Sequence, residues 1–198
     1  MSFAKTYFDN KELAQLKKTI TPNWDDTNTQ NHINLLGIPK SAKVVLEIGC
    51  GIGRLLKEIQ ALPQVDTCYG VDASGNMIDQ AADYCDSNDI HCSLCDGNGD
   101  FDLPPEPVDF AFAWLVFQHI DHTKVVHTYC KNMVSTLRPG GTIKCQLLRH
   151  NERPGNPLWV WHDPHELASV MYACDCVKTS VENLSQRWVL VTGVKDEQ

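Results

Sequence analysis

Three glycines at alternate positions, Gly49, Gly51 and Gly53, follow directly on the apolar stretch Val44-Val45-Leu46-Glu47-Ile48, and a helical pattern begins at Arg54. Glycine at such spacing lets the backbone turn tightly and approach a ligand with no Cβ in the way. The place is the carboxyl end of a strand, where parallel sheets bind their ligands. Asp72 ends the next apolar stretch, nineteen residues beyond Gly53. An acid there can take both hydroxyls of a ribose as hydrogen-bond donors. A dinucleotide site would show the spacing G-x-G-x-x-G, but position 54 is Arg. Glu47, just before the glycines, would repel a phosphate and favour a ligand that carries a cation.

These residues need a scaffold, and the chain supplies an alternating one. Short apolar strands at Lys43–Ile48, Thr67–Val71, Ile90–Cys95, Val108–Trp114 and Thr142–Leu148 alternate with helical stretches at Arg54–Ala61, Asn76–Cys85, Thr123–Thr136 and Pro164–Ala173. That alternation is the pattern of a parallel sheet wrapped by helices. Val177–Val181 and Trp188–Val194 are also β-rich, but only about six residues separate them, whereas a parallel crossover needs a dozen or more. They must pair antiparallel. The expected fold is therefore α/β: a doubly wound, mostly parallel seven-stranded sheet with an antiparallel terminal hairpin. Two amphipathic stretches, Asn10–Ile20 and Asn28–Gly37, precede it and read as helices. Residues 1–42 are thus expected to form a helical extension acting as a lid, and residues 43–198 a single core domain.

Composition excludes several classes. The chain has 198 residues, 17 basic and 25 acidic, for a net charge of −8, which disfavours a partner held mainly through phosphates. Its longest apolar run, Phe110–Phe117, is eight residues, far short of the roughly 20 that cross a bilayer. The first residues lack the apolar core of a secretory signal, so a cytoplasmic location is expected. Nine cysteines then read as reduced, small apolar residues. Cys92-x-x-Cys95, preceded by His91, has metal-like spacing, with Cys174 and Cys176 as further candidates. Strand positions three apart point to opposite faces, so no metal is expected there.

Adenosine joined to a sulfonium and an amino group suits the first site better than adenosine joined to two phosphates. At this point the sequence resembles the class I S-adenosylmethionine-dependent methyltransferases. Four stretches carry the likeness: Leu46-Glu47-Ile48-Gly49-Cys50-Gly51-Ile52-Gly53; Gly70-Val71-Asp72-Ala73-Ser74-Gly75-Asn76-Met77; Cys95-Asp96 followed by Leu103-Pro104; and Val108-Asp109-Phe110 through Gln118-His119, joined later by Leu137-Arg138-Pro139-Gly140-Gly141. The resemblance covers about Lys43 to Val194 and implies a Rossmann-like sheet with S-adenosylmethionine as cofactor and S-adenosylhomocysteine as product. It further implies that Gly49, Gly51 and Gly53 line the methionine portion, with Glu47 supporting the loop and the amino group. Asp72 would hold the ribose, Ala73 and Met77 would pack on the adenine, Asp96 would accept from its exocyclic amine, and Gly97 would offer backbone. Trp114 would border the reacting methyl. The sequence departs from the common pattern at Asp100–Pro107 and at Asp121-His122, on the rim of the expected site.

A small-molecule acceptor is expected. The chain is short and acidic, adds no nucleic-acid module, and lacks the Asn/Asp-Pro-Pro-aromatic motif that the resemblance associates with base amines. The alternatives are a cofactor-binding subunit without activity and a methyltransferase acting on a macromolecule. His119 after the fourth strand and His150 after the fifth are the candidate bases, since imidazole titrates near working pH. His162 faces the same edge. His165 reads instead as part of a helix start, with Asp163 as cap, Pro164 in the first turn and Glu166 behind it. Trp159 and Trp161, in the proline-rich loop Arg149–Trp161, and Trp24 are candidates for a wall or lid against a planar substrate.

Overall fold

The computed structural model describes residues 26–149 and 159–198. The expected helix at Asn10–Ile20 and the loop positions 150–158 lie outside the described residues. Helix α1 (Asp26–Leu36) precedes a sheet of seven strands: β1 (Val44–Ile48), β2 (Thr67–Asp72), β3 (Ile90–Leu94), β4 (Val108–Ala113), β5 (Leu137–Leu148), β6 (Cys176–Asn183) and β7 (Trp188–Lys195). Between them run α2 (Arg54–Gln60), α3 (Gly75–Cys85), α4 (Thr123–Thr136) and α5 (Pro164–Ala173). Strand order is β3-β2-β1-β4-β5-β7-β6. The first five strands are parallel throughout. β7 enters antiparallel between β5 and β6, with Thr142 opposite Val194 and Leu148 opposite Trp188. The expected architecture holds, including the antiparallel hairpin forced by its short connection.

Every residue of β1 and β4 is buried, because both faces of the central strands are covered. Alternation sorts them. Val44, Leu46 and Ile48 join Ala111, Ala113, Ile143 and Leu147 beneath Tyr129 and Met133 of α4 and Leu167 and Met171 of α5. Val45, Phe110, Phe112 and Trp114 face the other way, onto Leu55, Leu56 and Ile59 of α2 and Ile33 and Leu36 of α1. Each fully buried Leu, Ile or Phe contributes about 1.5–3 kcal/mol, so the two faces clamp β1 and β4 firmly. Their carboxyl ends are the fixed base of the site.

Two details differ from the sequence reading. The apolar strand read at Ile90–Cys95 is the sheet edge, β3, paired with β2 alone, and its residues His91 and Leu94 are exposed. The opposite-face argument for its cysteines holds regardless: Cys92 packs on the α1 and α2 side and Cys95 on the α4 side. β5 begins at Leu137, five residues before the expected start, because Leu137 pairs with Val108 before the register jumps to Thr142 opposite Phe110. The extra residues Arg138 to Gly141 are taken up as a bulge, with Gly140 at φ 75°. The α5 start follows its sequence: Asp163 accepts from His165 N at 2.9 Å, with Pro164 in the first turn.

Candidate functional site

The strand order reverses direction at β1, with β2 on one side and β4 on the other, so a crevice opens outside their carboxyl ends. Its floor is the glycine turn. Gly49, Gly51 and Gly53 all have positive φ, at 73°, 55° and 79°, and two of them are hemmed in. A Cβ at Gly49 would lie 2.2 Å from Val116 Cγ2, and one at Gly53 would lie 2.4 Å from Cys85 Sγ. Gly51 is different, because a Cβ there would meet nothing within 4 Å. The turn is packed from below and faces open space at its middle glycine.

Asp72, at the end of β2, holds this turn in place. Its Oδ2 accepts from Gly51 N at 2.8 Å and its Oδ1 from Ser74 N at 2.9 Å. Ser74 then caps α3, its Oγ accepting from Met77 N at 3.4 Å. Ala73 is half-buried, and a Cβ at Gly97 would come within 3.3 Å of Ala73 Cβ, so these two residues form one narrow edge. Asp96 is exposed; its Oδ1 accepts from Asn98 N at 2.7 Å and its Oδ2 from Asn98 Nδ2 at 3.3 Å. Met77, in the first turn of α3, is buried, 3% exposed.

Glu47 lies on the α1 and α2 side of β1, only 3% exposed, and its Oε2 is buried with no hydrogen-bond partner among the described residues. Burial pushes its carboxyl well above the ordinary range; Arg54 opposes that shift and Asp72 adds to it. Trp114 follows β4 on the same side, and its Nε1 is likewise buried without a described partner. Against it lies His32 of α1, ring centroids 5.6 Å apart, with a buried Nδ1 that has no partner among the described residues. Burial lowers the His32 pKa, aided by Arg54, so its imidazole is neutral. Arg54 Nη1 donates to Thr29 Oγ1 at 3.0 Å. Thus α1 delivers Thr29 and His32 to the crevice, neither of which the sequence reading singled out. Their spacing on the apolar face beside Ile33 and Leu36 was the available signal.

On the far wall, Leu115 takes a positive φ of 58° while its N–H donates to Gln146 Oε1 at 3.0 Å. His119 ends the short 3-10 turn Phe117–His119, half-buried, its Nε2 lying 3.3 Å from Gln118 Nε2. His162 is not free for catalysis. Its Nε2 donates to the carbonyls of Phe117 and Ile120 at 3.0 and 2.9 Å, which leaves Nδ1 to accept from Thr123 Oγ1 at 3.3 Å. It braces the loop after β4, as does Val160 N, which donates to Gln118 O at 2.7 Å. Trp159 packs on Trp188 at 5.6 Å, with Arg187 Cζ over the Trp159 ring at 5.9 Å. Trp161 is half-buried. Trp24 and His150 lie outside the described residues.

The thiols are packing groups. Burial raises Cys176 to about 11 and holds Cys145 well above the ordinary thiol range, so neither is a nucleophile. Cys85 Sγ donates to the Ile52 and Gly53 carbonyls at 3.7 Å, tucked under the glycine turn. Among the described residues no group of three potential ligands is placed to hold a metal. No described helix is long and apolar enough to cross a membrane.

A doubly wound sheet with a glycine turn and an acid at its switch point defines a Rossmann-like domain of the kind that binds nucleoside-bearing ligands. Residues 45–141 match the model of a methyltransferase domain. A methyltransferase of uncharacterised role from Geobacillus thermodenitrificans is 35% identical over 82 residues, 41% of this chain and 36% of that one. Two solved structures share the fold: Haemonchus contortus phosphoethanolamine N-methyltransferase 2 in complex with S-adenosyl-L-methionine (TM-score 0.74, 15% identity, 97% of this chain and 60% of that one) and DhpI in complex with S-adenosylhomocysteine (TM-score 0.72, 18% identity, 98% and 95%). The sequence likeness to methyltransferase domains is thus carried by residues 45–141, and the sheet has the fold of methyltransferases solved with S-adenosylmethionine or S-adenosylhomocysteine. The chain spans less than half the length of the curated relatives it matches.

Proposed function

We propose that the protein transfers the methyl group of S-adenosylmethionine to a small-molecule acceptor. The observation that carries the cofactor site is the glycine turn. Gly51 faces open space while Asp72 clamps its amide, and beside it the buried Glu47 oxygen and Trp114 Nε1 lack described partners, which suits a ligand that brings its own donors and acceptors. In this reading Asp72 takes the ribose hydroxyls, Gly49, Gly51 and Gly53 lie along the methionine portion, and Glu47 meets its amino group. Ala73, Met77, Asp96 and Gly97 frame the adenine. Trp114 borders the methyl.

When bound, the cofactor supplies a methyl group already activated on a sulfonium. What the chain must do is orient and exclude water. Trp114, His32 and α1 close one side of the crevice, and the loop after β4, braced by His162, closes the other. His119 stands at that rim as the described candidate for taking a proton from the acceptor, and His150, the second candidate, lies outside the described residues. Residues 1–42, of which α1 is the described helix, serve as the lid in this reading. The net charge of −8 supports a small molecule over a nucleic acid. Methyl-labelled S-adenosylmethionine, incubated with the purified protein and a cell extract split by size, tests the reading. Label in the low-mass fraction is the expected result. Label in protein or nucleic acid would reassign the acceptor, and binding without any transfer would favour a non-catalytic subunit.

A further inference from the structure

We propose that cofactor binding expels one proton from Glu47, the cofactor's ammonium group replacing that proton as partner of the buried carboxyl. The inference rests on the reading of this crevice as the S-adenosylmethionine site. Its basis is geometric. Glu47 is 3% exposed and its Oε2 has no described partner, although the carboxyl sits at the end of β1 immediately before the open glycine turn. An ionised carboxyl whose buried Oε2 meets no donor is in a state that costs several kcal/mol. Holding a proton avoids that cost until a ligand cation arrives.

The surrounding charges do not reverse this. Arg54, from the first turn of α2, favours the anion, but its guanidinium reaches out to Thr29 Oγ1 and is itself partly desolvated. Asp72, at the end of β2, acts in the opposite sense. Cys85 of α3, Cys68 of β2, Cys92 of β3 and Cys50 of the turn feel the Glu47 charge or are felt by it, and all four are held above the ordinary thiol range and stay neutral. His32 of α1 faces Arg54 and is held neutral by burial. The balance is one cation against burial and a second carboxylate. Desolvation dominates.

A ligand with an ammonium group changes the balance by direct contact. The Glu47 O–H bond breaks, its proton passes to the buffer, and the carboxylate left behind accepts a charge-assisted hydrogen bond from the ammonium N–H. No electron transfer is involved. Linkage then requires affinity to rise with pH, by about tenfold per pH unit while the free site holds the proton. It also makes the amino-acid end of the cofactor, rather than its nucleoside, the group that is sensed.

Calorimetry in two buffers of different ionisation enthalpy, near pH 7, counts the protons. S-adenosylmethionine and S-adenosylhomocysteine are each expected to release about one proton on binding the wild-type protein. Methylthioadenosine, which has no amino-acid end, is expected to release none. E47Q is expected to bind with no proton released and with weaker affinity for the two amino-acid-bearing ligands. Proton-neutral binding of S-adenosylmethionine to the wild type, or equal release with methylthioadenosine, overturns the inference and leaves the cofactor site standing. The wild-type comparison needs no variant, so poor folding of E47Q does not blunt the test. Failure of all three ligands to bind overturns the site reading and this inference with it.

Discussion

Asp72 Oδ2 accepts from Gly51 N at 2.8 Å while its second oxygen accepts from Ser74 N at 2.9 Å, so one carboxylate fixes both the glycine turn and the start of α3. A substitution here therefore changes the turn as well as any contact to ribose. D72A is expected to weaken S-adenosylmethionine binding by about 1.5–3 kcal/mol, the range for hydrogen bonds to a charged group, and to lower thermal stability. D72N keeps one acceptor and is expected to recover part of the stability. Titration calorimetry beside thermal melts separates the two effects. Unimpaired binding by D72A would remove Asp72 from the cofactor site.

Gly49 and Gly51 have similar backbones but opposite surroundings. At φ 73° and 2.2 Å from Val116 Cγ2, a Cβ on Gly49 has no room, so G49A is expected to cost roughly 1–3 kcal/mol by overpacking beyond the left-handed strain. Pairing it with V116A should restore the packing part alone. G51A has the same kind of φ but an open neighbourhood. Its expected loss is only the backbone strain, about 1–2 kcal/mol, accompanied by a clear loss of cofactor affinity because the new methyl enters the crevice. Denaturant melts and calorimetry on both variants should show this inversion; equal affinity losses would mean that Gly51 does not face the ligand.

The sheet was legible because its signals are local. The apolar runs Val44–Ile48 and Val108–Ala113, the short link between Cys176–Asn183 and Trp188–Lys195, and the Asp163-Pro164-Glu166 helix start each encode their own element. The turn that carries Gly49, Gly51 and Gly53 was legible for the same reason. Contacts between distant segments were not. Nothing near His32 in the chain reveals that it will lie on Trp114, and nothing near His162 reveals the Phe117 and Ile120 carbonyls that occupy it. The early start of β5 was hidden because Pro139-Gly140-Gly141 reads as a turn, although a bulge lets Leu137 pair with Val108 across it.

His162 gives the fold a pH dependence with a definite sign. Burial lowers its pKa from the ordinary 6.5, so the unfolded chain binds the proton more readily than the folded one. Stability is present above about 6.5 and declines as pH falls through the depressed folded value. His32 adds in the same direction, also through burial. H162A loses the brace and is expected to cost about 2–3 kcal/mol at neutral pH, where buried partners are left unpaired. It should also flatten the decline toward about pH 5. Unfolding curves in urea at several pH values measure both, and an unchanged slope in H162A would assign the decline elsewhere.

Asp109 anchors the opposite end of β1 from the site. Its Oδ2 accepts from the Lys43 and Val44 amides at 2.7 and 2.8 Å, and its Oδ1 pairs with Arg138 Nε. Burial pushes its pKa up, but the Val44 and Lys43 amides and Arg138 together outweigh burial and leave it below the ordinary 3.8. A depressed acid stabilises the fold above its unfolded pKa, and that contribution disappears as pH falls through the folded value. D109N is expected to cost about 2 kcal/mol at neutral pH and to lose less than the wild type between about pH 4 and pH 2. R138A should do less, since the Arg138 side chain is 43% exposed and an exposed partner is screened. The two amides that donate to Asp109 Oδ2 depend on the carboxylate more than the guanidinium does. If the acid limbs of D109N and wild type run parallel, another carboxylate sets the acid sensitivity; if R138A costs as much as D109N, the ion pair and not the amide bonds holds β1 to β4.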